Sequence, residues 1–224
     1  MNNDKQTMNK GVVATIIVVA ILLIDQAIKL WVKTSMELHE SIHVFDWFYI
    51  TFIENNGMAY GMQLGSKLLL SLFRLIAISV LGYYVWRQVK TGARWGYVVC
   101  LSMILAGAVG NLIDCMFYGM IFEQSTPYHI AQFTAFGEGY SSFLMGRVVD
   151  MFYFPLIVST WPDWVPWYGG DEFIFFSPVF NFADANISVG VVVLLLFFRK
   201  ELGDISLSRP TEKTAPVEEN QQSE

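Results

Sequence analysis

The sequence predicts an all-α membrane protein: four transmembrane helices with a small extracytoplasmic sheet. Three observations carry that reading. The 224 residues are 54% hydrophobic, 16% aromatic and only 15% charged, with a mean hydropathy of +0.43, outside the usual range of soluble domains. Four apolar runs approach or reach the length of about 20 residues that a helix needs to cross a bilayer. Lysine and arginine gather at one set of their ends.

The first run, residues 11–32 (GVVATIIVVAILLIDQAIKLWV), is too long for a signal-peptide core, and no small-x-small cleavage site follows it, so it is expected to be retained. The second, about 68–86, is interrupted only by Arg74. The third, 95–113, is uncharged, and the fourth, about 180–198, carries Asp184 near its start. Lys5 and Lys10 precede the first run, Arg87, Lys90 and Arg94 fill the connection between the second and third, and Arg199 and Lys200 follow the fourth. By the positive-inside rule both termini are then cytoplasmic, and the two long connections face outward.

The first outer connection, SIHVFDWFYITFIEN, is rich in β-branched and aromatic residues with partial alternation, which reads as one or two strands. A fifth hydrophobic stretch, VVDMFYFPLIVSTW, is short for a span and contains Asp150 and Pro155. It is expected as extended or re-entrant chain at the outer interface, with Trp161, Trp164 and Trp167 forming an aromatic belt. Residues 1–200 thus form one membrane domain. Residues 201–224 hold prolines, acids and polar residues that cannot bury a core, and read as a disordered cytoplasmic tail.

Several functions are disfavoured. No basic stripe suggests nucleic acid, and no Gly-rich loop suggests phosphate chemistry. Cys100 and Cys115 lie on one expected helix, about 22 Å apart by helical rise, too far to pair. His39, His43 and His129 lack metal-ligand spacing, so a metal reading is poor.

The informative residues are polar groups in apolar places, which are costly there. Asp25 and Lys29 share a face of the first span, either as a structural ion pair with Lys29 snorkelling outward or as the border of a substrate groove. In NNGMAYG, Gly57 supports a turn and Asn55 could orient a polar neighbour. In AGAVGNLID, Gly107 and Gly110 permit close helix approach, while Asn111 and Asp114 share a face, as a polar patch or as part of a site. Asp150 and Asp184 can reach one depth just below the outer surface. Neighbouring carboxylates cannot both ionise cheaply, so such a pair holds one proton. One member can then take a proton from water while the other donates to a carbonyl oxygen.

These pieces, DQAIK from Asp25, NNGMAY from Asn55, GAVGNLID from Gly107, GRVVDM from Gly146 and FNFADANI from Phe180, occur in an order that resembles the lipoprotein signal peptidases, or signal peptidase II. These are intramembrane aspartyl proteases of the bacterial cytoplasmic (inner) membrane. The resemblance implies cleavage of a prolipoprotein before its diacylglyceryl-modified cysteine, with Asp150 and Asp184 catalytic. It implies supporting roles for Asp25, Lys29, Asn55, Asn111, Asp114 and Asn181. It also implies four transmembrane helices with a small extracytoplasmic β-cradle, a flap over the active site, contact with membrane lipid, inhibition by globomycin-type cyclic peptides, and no cofactor.

This chain departs from the family in two places. Members usually have arginine directly after the aspartate of the GNxxD motif, where this chain has Cys115. Arg147, three residues before Asp150, is the expected substitute or else a headgroup anchor. The chain between Asp114 and Asp150 is also longer than in many members; the extra segment, roughly 122–143, reads as an outer loop that could shape access. Competing readings are a proton-coupled transporter, which the lack of an internal repeat disfavours, and a non-catalytic assembly protein.

Overall fold

The computed structural model describes residues 2–56 and 67–203. The Gly57 turn, the rest of the NNGMAY motif and the acidic tail beyond 203 lie outside the described residues. Helix α1 (Asn2–Ser35) is followed by strands β1 (Ser41–Phe45) and β2 (Phe48–Asn55), then α2 (Lys67–Lys90) and α3 (Trp95–Ile113). A π-helical turn (Asp114–Tyr118) and a short α4 (Gly119–Ile121) prolong α3. Strands β3 (Val148–Tyr153), β4 (Ile157–Thr160) and β5 (Glu172–Phe175) lead to α5 (Phe182–Phe197) and α6 (Arg199–Gly203).

Among the described residues, three helical stretches are long and apolar enough to cross a membrane: Asn9–Ser35, Lys67–Lys90 and Trp95–Ile121. Each covers the span expected from its apolar run and extends it. The fourth apolar helix is shorter, Phe182–Phe197, because Asn181 caps it and Phe180 already belongs to the strand region, bridging Phe152. Exposed side chains such as Ile16, Leu23, Phe73, Ile76 and Leu196 face outward from these helices, the pattern of a surface solvated by lipid.

Helix α3 is the hub, packed against α1, α2 and α5. Two glycines make this possible. A Cβ at Gly107 would collide with the Ala183 carbonyl, and one at Gly110 would stand 2.7 Å from Asp25 Oδ2. A side chain at Gly107 would push α3 and α5 apart, and one at Gly110 would displace the Asp25 carboxylate.

Strands β1, β2 and β3 form one antiparallel sheet in that order. The expected strands of the first connection are therefore a hairpin, and the stretch holding Asp150 is extended chain that completes the sheet. The β2–β3 register pairs Ile53 with Asp150, Glu54 with Val149 and Asn55 with Val148. Strands β4 and β5 form a separate hairpin, beside which Trp164 and Trp167 are exposed. Under the three-stranded sheet, Val32, Met36, Phe52, Tyr118, Phe122, Val149 and Met151 close one apolar core. It joins the end of α1, the sheet and the prolonged α3. Each fully buried side chain of this size contributes about 1.5–3 kcal/mol relative to exposure in water. The 122–143 segment folds back on this end, with Phe122 bridging Phe133 and Ser141 N–H donating to the Gly119 carbonyl at 2.7 Å.

Candidate active site

Most of the polar residues singled out by sequence converge at one end of the helix bundle, beside strand β3. Lys29 is fully buried and points inward rather than toward the surface. Its ammonium has three protons. It meets three acceptors: Asp25 Oδ2 at 3.0 Å, Asp114 Oδ2 at 2.9 Å and Asn111 Oδ1 at 2.8 Å. The Asp25–Lys29 pair is thus a buried ion pair extended to α3, and the snorkelling alternative does not hold.

Both aspartates also hold backbone. Asp25 Oδ1 accepts from Ala183 N–H at 2.9 Å, in the first turn of α5, and Asp114 Oδ2 accepts from Val149 N–H at 3.2 Å, next to Asp150. Gln26, which sequence reasoning passed over, donates to Asp114 Oδ1 at 3.0 Å and accepts from the Tyr118 hydroxyl at 3.2 Å. Its signal was available, since a glutamine inside an apolar span needs partners.

The start of α5 is a reciprocal cap. Asn181 Oδ1 accepts from Asp184 N–H at 2.9 Å, and Asp184 Oδ2 accepts from Asn181 N–H at 3.4 Å. The N-x-x-D spacing of Asn181 and Asp184 is a capping-box signature that would have set the helix start at Phe182 from sequence. The cap places Asp184 on the first turn, where Asn111 Nδ2 donates to its Oδ1 at 2.7 Å.

Asp150 stands in the middle of β3 and is 2% exposed. Two amides hold it: Asn181 Nδ2 to Oδ1 at 2.7 Å and Asn55 Nδ2 to Oδ2 at 3.2 Å. The second proton of Asn181 Nδ2 goes to Asn111 Oδ1 at 3.0 Å. A single asparagine therefore caps Asp184, grips Asp150 and connects to the Lys29 cluster. Burial, and after it the charge of Asp184, pushes the Asp150 carboxyl up to about 7, against the opposing pull of the Asn55 and Asn181 amides and of Lys29.

Arg147 lies apart from this network. Its guanidinium pairs with Glu54 Oε2 at 3.1 Å. The guanidinium that reaches position 115 belongs to Arg74, whose Nη1 donates to Cys115 Sγ at 3.4 Å. Among the described residues no group of three or more His, Cys, Asp or Glu could hold a metal ion.

A family model described as signal peptidase (SPase) II matches residues 17–199. Proteins named lipoprotein signal peptidase from two strains of Porphyromonas gingivalis are 47% identical over 216 residues, covering 96% of this chain and 94% of theirs. One of the same name from Amoebophilus asiaticus is 36% identical over 208 residues, covering 88% of this chain and 80% of its own. A solved structure titled as a bacterial membrane enzyme aligns over 88% of this chain and 93% of its own, with a TM-score of 0.56 at 22% identity, a likeness of fold.

Proposed function

The chain belongs to the signal peptidase II family and is a peptidase of lipoprotein processing in the inner membrane; from that premise we propose that it cuts prolipoproteins before the diacylglyceryl-modified cysteine, with Asp150 and Asp184 as the catalytic pair. Membership displaces the transporter and assembly readings. The observation that carries the assignment is the shared asparagine: Asn181 donates to Asp150 while it caps the turn that bears Asp184. Two carboxylates in one hydrogen-bonded network, Asp150 buried and Asp184 half-buried, are suited to hold one proton between them.

In this mechanism Asp150, whose carboxyl titrates near neutral pH, carries the proton. It donates to the scissile carbonyl oxygen as Asp184 takes a proton from the attacking water. Asp184 then passes that proton to the leaving amine as the C–N bond breaks, and Asp150 recovers a proton from a hydroxyl of the tetrahedral intermediate. Asn55, Asn111 and Asn181 hold the two carboxylates, and Asp25, Lys29 and Asp114 hold the elements that bear them. No metal or cofactor takes part.

The substrate's acyl chains occupy the bilayer, so its cleavage site must meet the dyad at the membrane's outer leaflet. The short fourth helix supports that depth. Sixteen residues rise about 24 Å, less than the ~30 Å hydrocarbon core. With the end of α5 that Arg199 and Lys200 follow taken as cytoplasmic, its capped start lies beneath the outer surface in this reading. Residues 1–200 form one domain of four spans with both termini cytoplasmic, and membrane lipid and globomycin-type inhibitors are its further ligands. Cleavage of a synthetic diacylglyceryl-cysteine peptide by purified protein and its Asp150→Asn variant tests the reading. Equal rates would refute it.

A further inference from the structure

A second buried charge cluster lies on the opposite face of β2 from the aspartates, and the mechanism above does not use it. Glu54 is 2% exposed in its side chain. Its Oε1 pairs with the fully buried Lys33 of α1 and accepts from Ser125 Oγ at 3.0 Å, and its Oε2 accepts from Arg147. Lys33 also donates to Ser125 Oγ at 2.8 Å and stands over the Phe122 and Tyr140 rings, 5.2 and 5.1 Å from their centroids. The Tyr140 hydroxyl accepts from Arg147 N–H at 2.6 Å. One carboxylate thus ties the end of α1, strand β2, the 122–143 segment and the approach to β3 together.

Side chains alternate across a strand. Glu54 and its partner Val149 share one face, while Ile53, Asn55, Val148 and Asp150 share the other. Asn55 reaches Asp150 along the diagonal of that face, and β2 ends at Asn55. Among the described residues the ladder ends at the Asn55–Val148 pair, and Glu54 is the clamped residue next to it. We propose that Glu54 is a positioning residue for the reaction: gripped between Lys33 and Arg147, it fixes the end of β2 so that Asn55 keeps its amide on Asp150. This inference rests on the aspartate assignment above. It also gives Arg147 a role, as one jaw of the clamp.

The readout is the pH profile of cleavage of a diacylglyceryl-cysteine peptide in micelles. Asp150 faces Asp184 from α5, Lys29 from α1 and the amides of Asn55 and Asn181. Removing the Asn55 amide leaves burial and Asp184 less opposed, so the limb near neutral pH moves upward. Glu54→Gln is expected to lower kcat about tenfold, the scale of one charge-assisted hydrogen bond. KM stays within about twofold, since Glu54 acts on Asn55 and does not touch the substrate, and the limb shifts upward. Asn55→Ala gives the same changes, and adding Glu54→Gln to it adds nothing further, the non-additivity of residues acting in series. Lys33→Met/Glu54→Leu removes both buried charges together and keeps the fold if Glu54→Gln does not; it is expected to show the same limb shift. Wild-type kcat and limb in that double variant, or independent effects of Glu54→Gln and Asn55→Ala, would overturn the proposal. Asp150→Asn, run in parallel, separates the two failures: activity there refutes the aspartate assignment itself.

Discussion

Asn181 Nδ2 lies 2.7 Å from Asp150 Oδ1, although the two residues belong to different elements, the cap of α5 and the middle of β3. The same side chain accepts from the backbone of Asp184. Breaking this contact should therefore disturb both carboxylates at once. Asn181→Ala removes an amide that opposes the rise of the Asp150 carboxyl, so the neutral limb of the pH–rate profile should move upward while kcat falls. A profile of unchanged shape would separate Asn181 from the catalytic pair.

Replacing either aspartate should abolish turnover without unfolding the protein, since an amide is nearly isosteric and cheaper to bury. Rate losses of about 10²–10⁴-fold or more are expected for Asp150→Asn and Asp184→Asn, the range of general acid–base catalysis. Single-turnover cleavage, with thermal melting as the control for folding, measures this.

Asp150 also makes stability depend on pH. Its carboxyl is raised in the folded protein to about 7. The folded state therefore binds the proton more tightly than the unfolded chain. The resulting stabilisation is complete below the ordinary carboxylate range and is lost as pH rises through about 7. Each unit of difference corresponds to about 1.4 kcal/mol, so the whole effect is on the order of 4 kcal/mol. Asp150→Asn should melt closer to wild type at pH ~5 and above it at pH ~8. Parallel pH dependence of the two proteins would contradict the raised value.

Lys29 has three acceptors and no exposure, so its removal strands Asp25 and Asp114 as buried charges. Lys29→Met should cost about 3–5 kcal/mol, the scale of breaking a buried ion pair. Neutralising both aspartates as well should restore part of it. Unfolding of the single and triple variants in detergent gives the comparison.

Topology can be tested by cysteine-accessibility labelling. The 122–143 segment should react from outside the cell and the tail beyond residue 203 should be protected. External labelling of the tail would remove the four-span arrangement and with it the outer-leaflet placement of the site.

Arg74 is the cation at position 115, reaching Cys115 from α2. If it supplies what the family's arginine supplies, Arg74→Met should lower cleavage about tenfold, as loss of one charge-assisted hydrogen bond would. Unchanged kinetics would leave that position without a functional cation.

The sequence by itself determined three long apolar spans and the identities of the polar residues. Both are local properties: the length of an apolar run decides whether it can cross a bilayer, and an aspartate or lysine within one is conspicuous because it is costly there. The alternation from Ser41 to Asn55 likewise announced strands. Tertiary structure decided where those residues point. Lys29 meets Asn111 across 82 positions and Asp25 holds Ala183 across 158. Such partnerships follow from helix packing over Gly107 and Gly110, which no local pattern encodes. The same holds for Arg147, which the sequence placed near Asp150 and the fold turned toward Glu54. Strand alternation sends adjacent side chains to opposite faces, so a short distance along the chain says little about which site a residue serves.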